Sequence, residues 1–196
     1  TLTVTVNPLP VVAITTNSQV LCFGQSATLS GANAATYTWN PGGFVGQNFT
    51  VTPSATTPYT LSGTSAANCT NTNLAVQTIT VNPLPVVGAS ASPAVVCLGN
   101  SLTLLGSGAD TYIWSGGAAN GVPFAPLASM AYTVNGTNTL TGCSSTNSAV
   151  QNTTVNPLPN VTASTSTPAV CMNFSTTLNG GGAISYTWSG GVLNGV

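Results

Sequence analysis

The pentapeptide Val-Asn-Pro-Leu-Pro occurs three times in the 196-residue chain, at 6–10, 81–85 and 155–159. Self-similarity at one fixed period marks an array of like units. The interval from Val6 to Val81, and again from Val81 to Val155, is too long for a solenoid turn and suits a small domain. Proline holds φ at about −65° and drives the residue before it toward an extended conformation. The segments Asn7-Pro8-Leu9-Pro10, Asn82-Pro83-Leu84-Pro85 and Asn156-Pro157-Leu158-Pro159 are therefore predicted to be short, stiff spacers, whereas a Gly/Ser linker would behave as coil.

Other landmarks keep the same register. Trp39, Trp114 and Trp188 follow Cys22, Cys97 and Cys171 at one identical spacing, and a second cysteine, Cys69 or Cys143, comes before the next pentapeptide. This divides the chain into two whole units, 11–81 and 86–155, and the N-terminal half of a third, 160–196. The spacers are 7–10, 82–85 and 156–159. Residues 1–6, TLTVTV, match the unit-ending TITV of 78–81 and read as the last strand of a preceding repeat.

Within a unit, short runs rich in Thr, Val, Tyr and Phe alternate with period two. Tyr37/Trp39, Phe49/Val51 and Tyr59/Leu61 each place an apolar pair on one face. Turn clusters separate the runs, NPGG at 40–43 and SAANCTNTN at 65–73. The predicted class is all-β: tandem small antiparallel β-sandwiches, each roughly 35–45 Å long, joined by short Pro-rich linkers into a rod. One bulky aromatic at the same strand position of every unit makes Trp39, Trp114 and Trp188 core residues, with sugar stacking as the competing role.

Two cysteines per whole unit suggest a bridge inside each, Cys22–Cys69 and Cys97–Cys143, with the partner of Cys171 beyond residue 196. The position before the second strand and the last hairpin are expected at the same end of a sandwich. Bridges imply an oxidising, extracytoplasmic setting. The competing readings are reduced buried thiols or a metal site, against which stands the absence of CxxC and of histidine.

The chain has no Lys, Arg or His and one acid, Asp110, which reads as a turn residue before a strand. Without cations, phosphate neutralisation on nucleic acid and attachment to anionic lipid have no basis. There is no run of 18 apolar residues, so direct membrane insertion by a helix is not expected. Nucleophile–base pairs, paired carboxylates and acidic calcium cages all lack their residues. Lysine-dependent isopeptide crosslinks are excluded too. No catalysis, no cofactor and no metal are expected.

The combination of V-N-P-L-P, Cys22-Phe-Gly-Gln-Ser-Ala-Thr-Leu29, Cys97-Leu-Gly-Asn-Ser-Leu-Thr-Leu104, Tyr37-Thr-Trp39 and Tyr186-Thr-Trp188 resembles the tandem Ig-like/PKD-like repeats of large secreted Bacteroidota surface proteins. The resemblance covers essentially the whole chain. It implies β-sandwich modules strung into adhesins, gliding-motility filaments or stalks at the cell surface. In two respects the chain departs from the pattern. The cysteines fall toward end loops where Ig domains have them in facing strands. The acidic PKD turn is replaced by Trp39-Asn-Pro-Gly-Gly43 and Trp114-Ser-Gly-Gly117.

A surface nearly free of charge lacks repulsion between copies, and near-zero net charge favours association. The expected function is a non-catalytic structural region of an extracellular fibre, with copies of itself as partners. The alternative is the stalk of an adhesin or gliding filament whose tip, carrying a glycan or protein ligand of unknown identity, lies outside this stretch. A spacer array in a secreted polysaccharide-degrading enzyme is a third expectation.

Overall fold

A computed structural model describes residues 2–190 of the chain. Strands form where β-branched and aromatic side chains recur, because these fit a pleated, half-buried surface. Eight belong to the first unit: β1 (Ala13–Thr16), β2 (Val20–Cys22), β3 (Ala27–Ala32), β4 (Thr36–Asn40), β5 (Phe44–Val45), β6 (Asn48–Val51), β7 (Thr57–Thr64) and β8 (Ala75–Asn82). They make a three-stranded sheet, β1-β3-β6, and a five-stranded sheet, β2-β8-β7-β4-β5.

The second unit repeats this plan. Its strands are β9 (Gly88–Ser92), β10 (Val95–Cys97), β11 (Leu102–Ser107), β12 (Thr111–Trp114), β13 (Pro123–Phe124), β14 (Met130–Thr137) and β15 (Ala149–Asn156). Its sheets are β13-β11-β9 and β10-β15-β14-β12, with a 3₁₀ turn at Ser115–Gly117 after the tryptophan. Both units are Ig-like β-sandwiches.

The period-two alternation places the core. β3 and β4 bury every second residue, and Leu29 from one sheet meets Tyr37, Trp39, Tyr59, Leu61 and Ile79 from the other. Phe49 is half-buried and lies edge-on to Tyr59 with ring centroids 6.0 Å apart. In the second core Trp114, Leu102, Leu104, Tyr132 and Val134 occupy the matching places. Trp39 and Trp114 are core residues, and each indole N–H has a partner: Gly46 O at 2.8 Å and Asn120 Oδ1 at 3.1 Å.

One pairing differs from an all-antiparallel sandwich. β2 runs parallel to β8 with Cys22 opposite Asn82, and β10 runs parallel to β15 with Cys97 opposite Asn156. Each short strand therefore ends where its unit's last strand ends.

Residues 160–190 contribute only β16 (Thr162–Thr165) and β17 (Leu178–Gly181), paired antiparallel. Without a facing sheet among the described residues, Trp188 is half-buried rather than a core residue, and Cys171 is exposed and lies outside any strand. The reason is direct: the strand that would hold Cys171 pairs, in the other units, with the final strand. The segment 2–6 pairs with no strand among the described residues, and Leu2, Val4 and Val6 are exposed.

Candidate functional site at the junction of two sandwiches

Five residues, 83–87, separate β8 from β9. Beside them the two units are joined a second time, by a disulfide between Cys22 and Cys143 with Cα atoms 5.6 Å apart. Cys22 sits at the end of β2, and the next residue's amide, Phe23 N–H, donates to Asn82 O at 2.8 Å. Cys143 lies in the loop between β14 and β15 and is fully buried.

This pairing corrects the expected bridges Cys22–Cys69 and Cys97–Cys143. Cys69 and Cys97 are free thiols in the structure. Strand direction is the cause. Because β2 is parallel to β8, Cys22 is carried to the trailing end of its sandwich, next to Asn82. Cys69 is in the β7–β8 loop at the leading end, 3.9 Å from the carbonyl of Asn7. The eight residues of β8 hold these ends about 23 Å apart, whereas a disulfide needs Cα atoms within roughly 7 Å.

The leading end of the second sandwich is built to receive the linker. Val87 is buried against Ala109 and Gly136, where a Cβ on Gly136 would clash with both. Val12 takes the same place against Ala34 and Gly63 in the first sandwich. Gly108 has φ +86°, and a Cβ there would overlap the Val86 carbonyl. That position needs glycine both for its conformation and for close approach to the linker.

Next to it stands a clasp that the sequence reading missed. The Tyr112 hydroxyl accepts from Ala109 N–H at 3.0 Å and donates to Ala109 O. Tyr37 does the same with Ala34, at 3.1 and 2.9 Å, and Tyr186 with Ala183, at 3.0 and 2.6 Å. In each unit the ring lies over a strand glycine, Gly31, Gly106 or Gly180. The signal was present as G-x-x-A-x-x-Y at all three positions.

Asp110 does more than fill a turn. Its Oδ2 accepts from Thr139 N–H at 2.8 Å and from the Thr139 hydroxyl at 3.1 Å. Asn138 Oδ1 accepts from the amides of Leu140 and Thr141. Together these contacts fix residues 138–141, the stretch of the loop that leads into Cys143.

Among the described residues no three metal-ligating side chains come together. Surface grooves of about 230 to 390 Å³ are lined by small, aliphatic, hydroxyl, amide and aromatic side chains. Among the described residues no helix is long and apolar enough to cross a membrane.

The fold and junction define a class, Ig-like sandwiches in series with a covalent tie between neighbours. No protein-family model matches the chain, and no curated protein matches it. Among solved structures it is similar to a Ca²⁺-stabilised adhesin that helps an Antarctic bacterium bind ice, at 15% identity and a TM-score of 0.39, covering 78% of this chain and 51% of that one. It is also similar to the fibronectin(III)-like modules of Clostridium thermocellum CbhA, at 12% identity and 0.36, covering 74% and 95%. A third likeness is to the three N-terminal domains of the bacteriophage RB49 outer capsid protein Hoc, at 16% identity and 0.37, covering 89% and 70%. The chain spans about half the length of the adhesin chain.

Proposed function

We propose that this chain is a non-catalytic, mechanically stiff region of a long extracellular fibre, one that associates laterally with copies of itself. The observation that carries this is the double attachment between sandwiches: a five-residue Pro-containing linker and the Cys22–Cys143 bridge beside it. Two attachment points remove the hinge motion that one linker leaves, and a disulfide persists in oxidising, extracytoplasmic surroundings. Absence of His, Lys and Arg leaves no imidazole or amine base and no side-chain cation for chemistry.

Lateral association has its own support. The outward positions of the larger sheets, including Thr36, Thr38, Thr78 and Thr80 in the first and Thr111, Thr133, Asn152 and Thr154 in the second, are exposed and uncharged. Exposed valines recur at matching places, Val20 with Val95 and Val76 with Val150. Hydroxyl and amide groups can bond between chains without the desolvation cost of charge. Electron microscopy of native, unconcentrated material tests the proposal. Bundled threads with regular order between chains support it. Lone threads, beaded at about one sandwich length, would instead favour a stalk that projects a binding tip.

A further inference from the structure

Resting on the structural role above, we propose that Cys69 and Cys97 are the open halves of the same bridge. The strand-end cysteine of each repeat is bonded to the hairpin cysteine of the repeat that follows it, so the array is stapled covalently at every junction.

Two independent placements carry this. The first concerns the strand-end cysteine. Cys97 lies opposite Asn156, and the next amide, Leu98 N–H, donates to Asn156 O at 2.8 Å. Cys22 lies opposite Asn82 with Phe23 N–H donating to Asn82 O at the same distance. Cys97 is therefore presented beside the 156–159 spacer in the way Cys22 is presented beside 82–85. The second concerns the hairpin cysteine. Cys143 is bonded to Cys22, which abuts Asn82. Cys69 Sγ lies 3.9 Å from the carbonyl of Asn7, the residue equivalent to Asn82 in the preceding spacer.

Burial distinguishes a filled junction from an open one. Cys143, with a sandwich on its far side, is fully buried; Cys69 is half-buried and Cys97 is exposed. The linker follows the same trend. Asn82, Leu84 and Pro85 are half-buried, whereas Asn156, Leu158 and Pro159 are exposed. Pairing Cys69 with Cys97 inside one chain is ruled out, because they sit at the leading end of one sandwich and the trailing end of the next.

Forming each bridge removes two protons and two electrons from a pair of thiols and creates one S–S bond. An extracytoplasmic dithiol–disulfide oxidoreductase is the acceptor, its own disulfide being reduced to two thiols.

The test is peptide mapping of the native protein, collected without reductant and blocked with an alkylating agent. Digestion with pepsin at acid pH suits it, since thiol exchange is suppressed and trypsin has no Lys or Arg to cut within this chain. The expected result is Cys22 joined to Cys143, Cys69 joined to a strand-end cysteine of a preceding repeat, and Cys97 joined to a hairpin cysteine of a following repeat. Alkylated Cys69 or Cys97, or either one joined to a cysteine of its own kind or of its own repeat, overturns the proposal. Such a failure would leave elongated fibres in the microscope untouched, so it is distinguishable from failure of the structural role.

Discussion

The glycine, alanine and tyrosine of each G-x-x-A-x-x-Y form a device of two separable halves. The hydroxyl satisfies both backbone groups of one alanine, which otherwise have no partner in the tight turn before β4 or β12. Replacing Tyr37 by Phe keeps the ring and strands a partly buried N–H and C=O, at a cost of about 1–3 kcal/mol. Urea unfolding of Tyr37→Phe measures it, and an unchanged midpoint would mean that water replaces the hydroxyl. Gly106→Ala attacks the other half, since the new methyl would collide with the Tyr112 ring while the hydroxyl bonds hold that ring in place. Overpacking of this kind costs about 1–3 kcal/mol, and the same titration reads it. The two kinds of substitution should not add within one unit, because displacing the ring also breaks the hydroxyl bonds.

At the level of strands, what the sequence made legible was what repeats locally. Alternation in β4, β6 and β7 identified the faces of the core: Tyr37, Trp39, Val51, Tyr59 and Leu61 are buried as that pattern requires, and Phe49 is half-buried. The direction of β2 was not legible. A run as short as Val20-Leu21-Cys22 cannot carry a period. Its partner β8 begins only at Ala75, with five strands in between, so neither turn chemistry nor spacing fixes parallel against antiparallel. That single undetermined direction reversed the end at which Cys22 lies, and with it the disulfide pairing. The half-buried state of Trp188 has a related origin: a residue's place in the period fixes which way it faces, but burial also needs the opposing sheet. A count of free thiols decides the matter. The observed pairing gives three per isolated oxidised chain, Cys69, Cys97 and Cys171, whereas bridges within each unit would leave only Cys171. Cys143→Ser should raise the count to four, because Cys22 and Cys69 are held at opposite ends of β8 and cannot meet in a folded sandwich. Alkylation under denaturing conditions followed by intact-mass measurement gives both numbers.

Over the whole molecule, the bridge and the absence of charge act on different properties. Cys22 and Cys143 are 121 residues apart, and on the chain-entropy account closing such a loop raises stability by about 5 kcal/mol against full unfolding. With both sandwiches folded, its effect is on their freedom of relative motion. The double variant Cys22→Ser/Cys143→Ser should keep both sandwiches folded by circular dichroism but broaden the pair-distance distribution in X-ray scattering. An unchanged distribution would mean that the linker and the Val87 contact suffice alone. Association between chains should respond to solvent in a way that sets it apart from charged fibres. Lowering ionic strength from about 0.1 M to about 0.01 M stretches the Debye length from roughly 10 to 30 Å, which alters attraction and repulsion wherever charges face one another. A chain of net charge −1 with a single acid presents almost nothing for that field to act on. The proposed self-association should therefore be flat across this range, rise with sulfate and fall with urea, since those agents act on apolar and peptide surface. Sedimentation velocity at matched protein concentration measures all three. A clear dependence on dilute monovalent salt would place the adhesive contacts at Asp110 and the chain termini, the groups that can carry charge at neutral pH, and not on the threonine-rich faces.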